Sequence, residues 1–256
     1  MKRVLTAALL IPLVVYVVLW GPLAALYGVI AAVSLICYRE YCGIAAAYGF
    51  GELGPVGYGA GLLLLVAGGD TLLVTVSLAA LALALSMRTG ELPRALPRAA
   101  LIVAGVLYIF GAFRCAIPIR EASPHWLMYA LLVSWIGDTG AYYAGRCWGR
   151  HKLAPRISPG KSWEGAGASV AVAVAAGAAY LGYFLPAVSW WEAALLSAVM
   201  NAAGQVGDLA ESAMKRGAGI KDSGNILPGH GGFLDRVDST LFTLPAVYLY
   251  LRLLQL

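Results

Sequence analysis

Apolar residues run through this chain in long blocks, interrupted by short polar stretches rich in glycine, proline and basic side chains. A helix needs about 20 mostly apolar residues to cross the hydrocarbon of a bilayer. Blocks of that kind lie near 4–20, 22–42, 53–69, 70–87, 97–113, 126–145, 165–186, 191–210 and 233–251. Stretches such as VLTAALLIPLVVYVVLW and LLVTVSLAALALAL are continuously apolar, which favours helices over the alternating strands of a membrane barrel. The pattern predicts an all-α, polytopic integral membrane protein with about nine transmembrane helices. Lys2 and Arg3 precede the first block as they would in a cleavable signal peptide. Eight further blocks follow and no clear small-x-small cleavage site does, so the first block is predicted to be a span.

Charge then sets the orientation. With the N-terminus in the cytoplasm, fifteen of the eighteen Lys and Arg fall inside and only Arg114, Arg120 and Arg252 outside, the asymmetry expected of a membrane protein. Composition agrees: 61% of residues are hydrophobic and 12% charged, too little polar surface to cover a soluble globule of this size. The net charge of +5 is accounted for by topology and by attraction to anionic lipid, with no case for nucleic acid. Cys37, Cys42, Cys115 and Cys147 form no CxxC pair and are expected to be packing residues. Arginines in the Pro-containing turn at 88–98 are expected to be topology determinants.

Candidate chemistry collects late in the chain. Residues 134–239 hold nine of the eighteen Lys and Arg and eight of the thirteen acids. Residues 1–125 are therefore expected to be an N-terminal scaffold, and 126–256 a catalytic region with cytoplasmic loops at 146–164 and 211–232. The sixth block is expected to close at Asp138, and the eighth at Asp208 and Glu211. On the eighth, Asp208, Glu211 and Ser212 stand at i, i+3 and i+4 and share a face; on the ninth, Asp235, Asp238 and Ser239 repeat the spacing. Two acidic faces meeting at a membrane surface outline a site for a hard cation such as Mg²⁺. Capping of a helix start explains Asp235 and Asp238 equally well. Gly231 and Gly232 leave backbone N–H groups open to phosphate oxygens. Lys215, Arg216, Lys221 and Arg236 surround them, as polyphosphate chemistry requires and as plain salt bridging would also explain. The loop at 145–165 adds Arg146, Arg150, Lys152, Arg156 and Lys161, with Ser158 and Ser162 as hydroxyl donors; snorkelling to headgroups is the alternative for the arginines.

The stretch from Ser212 to Asp238, SAMKRGAGIKDSGNILPGHGGFLDRVD, resembles the signature of the phosphatidate cytidylyltransferase, or CDP-diacylglycerol synthase, family. DTGAYYAGRCWGRHKL and SPGKSWEG look like its second block, so the likeness covers residues 134–239. Gly160 and Ser162 depart from it, standing where the family more often has lysine and threonine, which puts a phosphate role for Gly160 in doubt. The resemblance implies that CTP and phosphatidate give CDP-diacylglycerol and pyrophosphate at the cytoplasmic face of a bacterial inner membrane. It further implies a homodimer and a metal centre on Asp208 and Asp235, holding Mg²⁺ alone or with a second cation. Lys221, His230, Arg236 and Asp238 would be catalytic. Ser158, Lys161, Ser162, Ser212, Lys215, Arg216, Asp222, Gly231 and Gly232 would bind substrate.

The expected mechanism is direct attack of the lipid phosphate on the alpha phosphorus of CTP. A phosphate monoester has its second pKa near 6 and is largely ionised at neutral pH, so no strong general base is needed. His230 is then a phosphate donor or a loop anchor. Two rivals remain: a CTP-dependent lipid or polyprenol kinase, which would transfer the gamma phosphate, and a transporter, which would place its acids near the bilayer midplane.

Overall fold

A computed structural model describes residues 2–51, 53–67, 71–87, 91–226 and 231–254. His230 and Arg88 lie outside the described residues. The chain is helical: α1 Lys2–Leu19, α2 Leu23–Ala47, α3 Gly54–Val66, α4 Thr71–Ser86, α5 Leu92–Ala122, α6 Pro124–Trp148, α7 Trp163–Phe184, α8 Trp190–Gly217, α9 Leu234–Val237 and α10 Thr240–Leu253. Local chemistry sets the boundaries. Gly21 and Pro22 separate α1 from α2. Ser123 caps α6, accepting from the His125 N–H, with Pro124 in the first turn. Ser189 and Glu192 form a capping box at the start of α8.

Among the described residues three helices, α2, α5 and α7, are long and apolar enough to cross a membrane. α3 and α4 have 13 and 16 residues. They therefore reach about 20–24 Å at 1.5 Å per residue, short of the roughly 30 Å of hydrocarbon. Leu63, Val66, Leu72, Leu73 and Leu83 on these two helices are nonetheless exposed, a surface suited to an apolar surrounding.

Three features depart from the expected pattern. Residues 152–162 are not an open loop: Lys152–Ala154 (β1) and Ser158–Ser162 (β2) pair antiparallel, with Lys152 opposite Ser162. Pro155, Pro159 and Gly160 exclude a helix there. α6 continues to Trp148 and α8 to Gly217, so Asp138 and Asp208 stand inside helices, not at their ends. The ninth block opens as the single turn of α9, followed by a turn at Asp238–Ser239. The Ser239 N–H is taken by Asp238 Oδ1 at 2.7 Å, a local bond that competes with the helical ladder.

Small residues bring the C-terminal helices together. The buried positions of α7 are Gly165, Ser169, Ala173, Gly177 and Leu181, one ridge at a spacing of four. It lies on α6, where Gly137 and Gly140 meet Ser169 and Val172. On α8, Gly204 and Gly207 admit α10 and the turn before it: a Cβ on Gly207 would stand 2.7 Å from the Asp238 carbonyl oxygen. In the N-terminal half the rings of Tyr38, Tyr41 and Phe110 pack into one another and against Gly57, Gly105 and Gly61.

Gly207→Leu should therefore push the Asp238 backbone off α8 and cost about 1–3 kcal/mol in reversible unfolding in detergent, as overpacking does. A variant as stable as the parent would show that this approach carries no weight.

Candidate active site

α6, α8, the β-hairpin and the segment 231–238 enclose one end of a cavity of about 1110 Å³. That end is polar, lined by Asp138, Lys161, Asp208, Lys215, Asp222, Asp235, Arg236 and Asp238. The other end is apolar, lined by Leu10, Val14 and Val17 of α1 and Leu26, Val29 and Ile30 of α2. The N-terminal helices thus form part of the cavity wall.

The hairpin carries Lys161 over α8, where its Nζ lies 2.7 Å from Asp208 Oδ2. Asp208 Oδ1 accepts from the Ser212 hydroxyl at 3.3 Å, one helical turn on. A second lysine is enclosed more deeply. Lys215 is paired with Glu211 on its own helix and with Asp235 across the loop. Asp235 also accepts from the Ser223 N–H at 3.1 Å and the Gly232 N–H at 2.9 Å, so it organises the turn ahead of α9 as a capping carboxylate does. Gly231 has φ +80°, a left-handed conformation that favours glycine, and sits against Asp235 and Asp222. Asp238 interacts electrostatically with Asp208, Glu211 and Asp138, and Asp138 with Asp208, Lys161 and Arg236.

Not every expected residue reaches the cavity. Arg216, in the last turn of α8, is exposed and donates to the Ile220 carbonyl at 3.0 Å, and Lys221 is exposed on the loop that follows; neither lines the cavity. Ser162 lines it while its Oγ accepts from the Gly165 N–H at 3.1 Å, capping α7. Ser158 and Gly160 also line it, whereas Ser212 and Gly232 stand behind it. Of the loop arginines, Arg94 does more than set topology: it caps α2 through the Gly49 carbonyl at 2.9 Å and pairs with Glu91.

Among the described residues no three His, Cys, Asp or Glu side chains form a ready metal cage. The donor set nevertheless suits Mg²⁺, which needs one or two carboxylates and keeps several waters. Asp138, Asp208 and Asp238 line the same cavity, and Glu211 Oε1 is buried without a hydrogen-bond partner among the described residues. Asp208 would join a metal by releasing Lys161, and Asp235 by releasing Lys215.

Two groups of residues escaped the sequence pattern. Glu40 of α2 accepts from the Phe233 and Leu234 N–H groups at the start of α9. A lone acid in an otherwise apolar block was the available signal. Asn201 and Gln205 of α8 form a polar relay with Ser169 and the backbone of α6 and α7. Gln205 lines the cavity.

The sequence pattern of the cytidylyltransferase family matches residues 1–254. The chain belongs to that family. A phosphatidate cytidylyltransferase of Staphylococcus haemolyticus is 41% identical over 153 residues, 60% of this chain and 59% of that protein. Its counterpart in Bacillus subtilis is 44% identical over 156 residues, 59% of this chain and 58% of that protein. The aligned part thus spans less than two thirds of these relatives' own length.

The two lysines of this family member differ in burial, and the difference is measurable. Lys215→Met leaves two enclosed carboxylates without their cation and should cost about 3–5 kcal/mol. Lys161→Met breaks a half-exposed pair and should cost about 1 kcal/mol or less. Denaturation in detergent checks both; equal losses would contradict the burial order.

Glu164, in the first turn of α7, gives a pH prediction. Its own backbone N–H, the His151 ring at 2.6 Å and the N–H groups of His151 and Arg150 hold its carboxyl down at about 2, against an ordinary 4.5. A depressed carboxyl stabilises the fold above its unfolded value and loses that contribution as pH falls. Proteolytic nicking of the hairpin should therefore stay slow above about pH 4.5 and accelerate towards pH 2 in the wild type. Glu164→Gln should flatten that acid limb; an unchanged limb would remove Glu164 as its cause.

Proposed function

We propose that this protein is a phosphatidate cytidylyltransferase, transferring CMP from CTP to phosphatidate to give CDP-diacylglycerol and pyrophosphate. The observation that carries this reading is the two-ended cavity, apolar along α1 and α2 and lined by acids and cations at the other end. An acyl chain suits the first end and a nucleotide polyphosphate the second, and the family and the names of the relatives point the same way.

In the proposed step an ionised phosphate oxygen of phosphatidate attacks the alpha phosphorus of CTP. The bond from that phosphorus to the beta-bridging oxygen breaks, and pyrophosphate leaves with the electron pair. Proton removal is unnecessary because the nucleophile is already ionised. Bound Mg²⁺, on Asp208 and with Asp235 in reach of the same cavity, would neutralise phosphate charge; Asp138 and Asp238, which also line the cavity, would hold a second cation. Lys161, Lys215 and Arg236 line the cavity where leaving-group charge develops. Preorganised cations there lower the barrier without reorganising. Lys221, Arg216 and Asp222 would meet CTP at the mouth, and His230 would serve as a phosphate donor. Ser158 and Ser162 would donate from the hairpin, and the Gly231 amide from the turn before α9; the Gly232 N–H is already taken by Asp235.

The same reading takes the ten helices as about nine spans in a bacterial inner membrane, N-terminus and cavity on the cytoplasmic side, in a homodimer. The exposed apolar side chains of α3 and α4 and the positive-inside charge pattern support the membrane part.

Purified protein given alpha-labelled CTP, Mg²⁺ and phosphatidate should convert the label into a lipid-soluble nucleotide and release pyrophosphate. Asp208→Asn should lower turnover at least about 10²-fold. Release of labelled CDP with a lipid carrying the gamma phosphate would instead identify a kinase and overturn the reading.

A further inference from the structure

Glu40 is an acid in the middle of an apolar helix, only 4% exposed, and outside the cavity lining. A carboxylate is expensive to enclose unless its oxygens are satisfied. Here they are satisfied by a segment almost two hundred residues away. Oε1 accepts from the Phe233 N–H at 2.9 Å, and Oε2 from the Leu234 N–H at 2.7 Å and the Ser223 hydroxyl at 2.9 Å. Ser223 turns the same contact towards the cavity, because its N–H donates to Asp235. Asp235 in turn holds Lys215, which holds Glu211. One chain of bonds runs from α2 to the charged wall.

The backbone is shaped around this carboxylate. A Cβ on Gly224 would lie 2.6 Å from Glu40 Oε1, and one on Gly232 would lie 2.6 Å from Oε2 and 2.0 Å from Ser223 Oγ. Both positions need glycine because Glu40 occupies the space. All three of its partners are donors, so both carboxyl oxygens are used as acceptors. A glutamine would turn an NH₂ group on one of them.

We propose that Glu40 is a positioning residue for the cytidylyl transfer: it fixes Ser223 and the start of α9, and through them holds Asp235 and Lys215 in the cavity wall. The proposal deepens the functional reading above and rests on it. Glu40 touches no cavity space and is not catalytic itself. A mere packing role would give a different result, since packing losses reduce the amount of folded enzyme and leave each folded molecule as active as before.

The test compares wild type, Glu40→Gln and Gly224→Ala in detergent, with phosphatidate in mixed micelles and rates normalised to folded protein. Glu40→Gln should lower kcat and kcat/KM alike by about 10²-fold, the scale of a small misplacement of a catalytic wall. Amide exchange at 223 and 232–235 should quicken in the same variant while that of α7 stays unchanged. Gly224→Ala keeps the carboxylate but crowds it, and should show a smaller loss of the same kind, so the proposal does not depend on one variant folding. Turnover per folded molecule within about twofold of wild type in Glu40→Gln, or in Gly224→Ala should Glu40→Gln not fold, would overturn it, as would lost turnover with unchanged exchange at 223 and 232–235. An active wild type with an equally active Glu40→Gln sinks this proposal alone; a wild type that forms no labelled lipid nucleotide sinks the functional reading and this proposal with it.

Discussion

One enclosed ammonium group holds the charged end of this protein together. Lys215 stands between Glu211, one turn back on α8, and Asp235, from the segment that follows the loop. Two carboxylates this close to one another and this poorly hydrated would repel, and the cation between them removes the conflict. Because one acid belongs to α8 and the other to α9, the same contact sets where the loop returns. The positions of Gly231, Asp222 and Arg236 follow from that return.

The helices can present these side chains at one place because they approach closely. Glycine and serine on α6, α7 and α8 leave no side-chain layer between backbones, so packing is by direct contact and by the polar relay of Asn201, Ser169 and Gln205. Gly207 lets the Asp238 carbonyl rest on α8, which sets Asp238 near Asp208. In a bilayer, where burial of apolar surface gives little drive to association, contacts of this sort are the available source of specificity.

The cavity joins two solvents. Its α1 and α2 walls are apolar, and its other wall carries Asp138, Lys161, Asp208, Lys215, Asp235, Arg236 and Asp238. An amphipathic substrate with a phosphate headgroup spans such a boundary without leaving either phase. Lys161 and Lys215, which neutralise Asp208 and Asp235, are of the type that neutralises phosphate. The wall can therefore exchange internal ion pairs for contacts with a polyphosphate at little net cost in unpaired charge.

Helical class and the residues of the polar segments are legible in the sequence, because hydropathy and local spacing act over one helix at a time. Asp208 with Ser212, and Glu211 with Lys215, are neighbours at i+4 and follow from the sequence alone. The hairpin at 152–162 and the turn at Asp238–Ser239 were not legible in that pattern: each depends on which partner wins a backbone hydrogen bond. Glu40 was the largest omission. Its meaning lies in Ser223, Phe233 and Leu234, and no local pattern links a carboxylate to donors that far along the chain. Only the tertiary structure decides such a pairing, because the energy comes from satisfying an enclosed charge and the donors are chosen by how the helices pack.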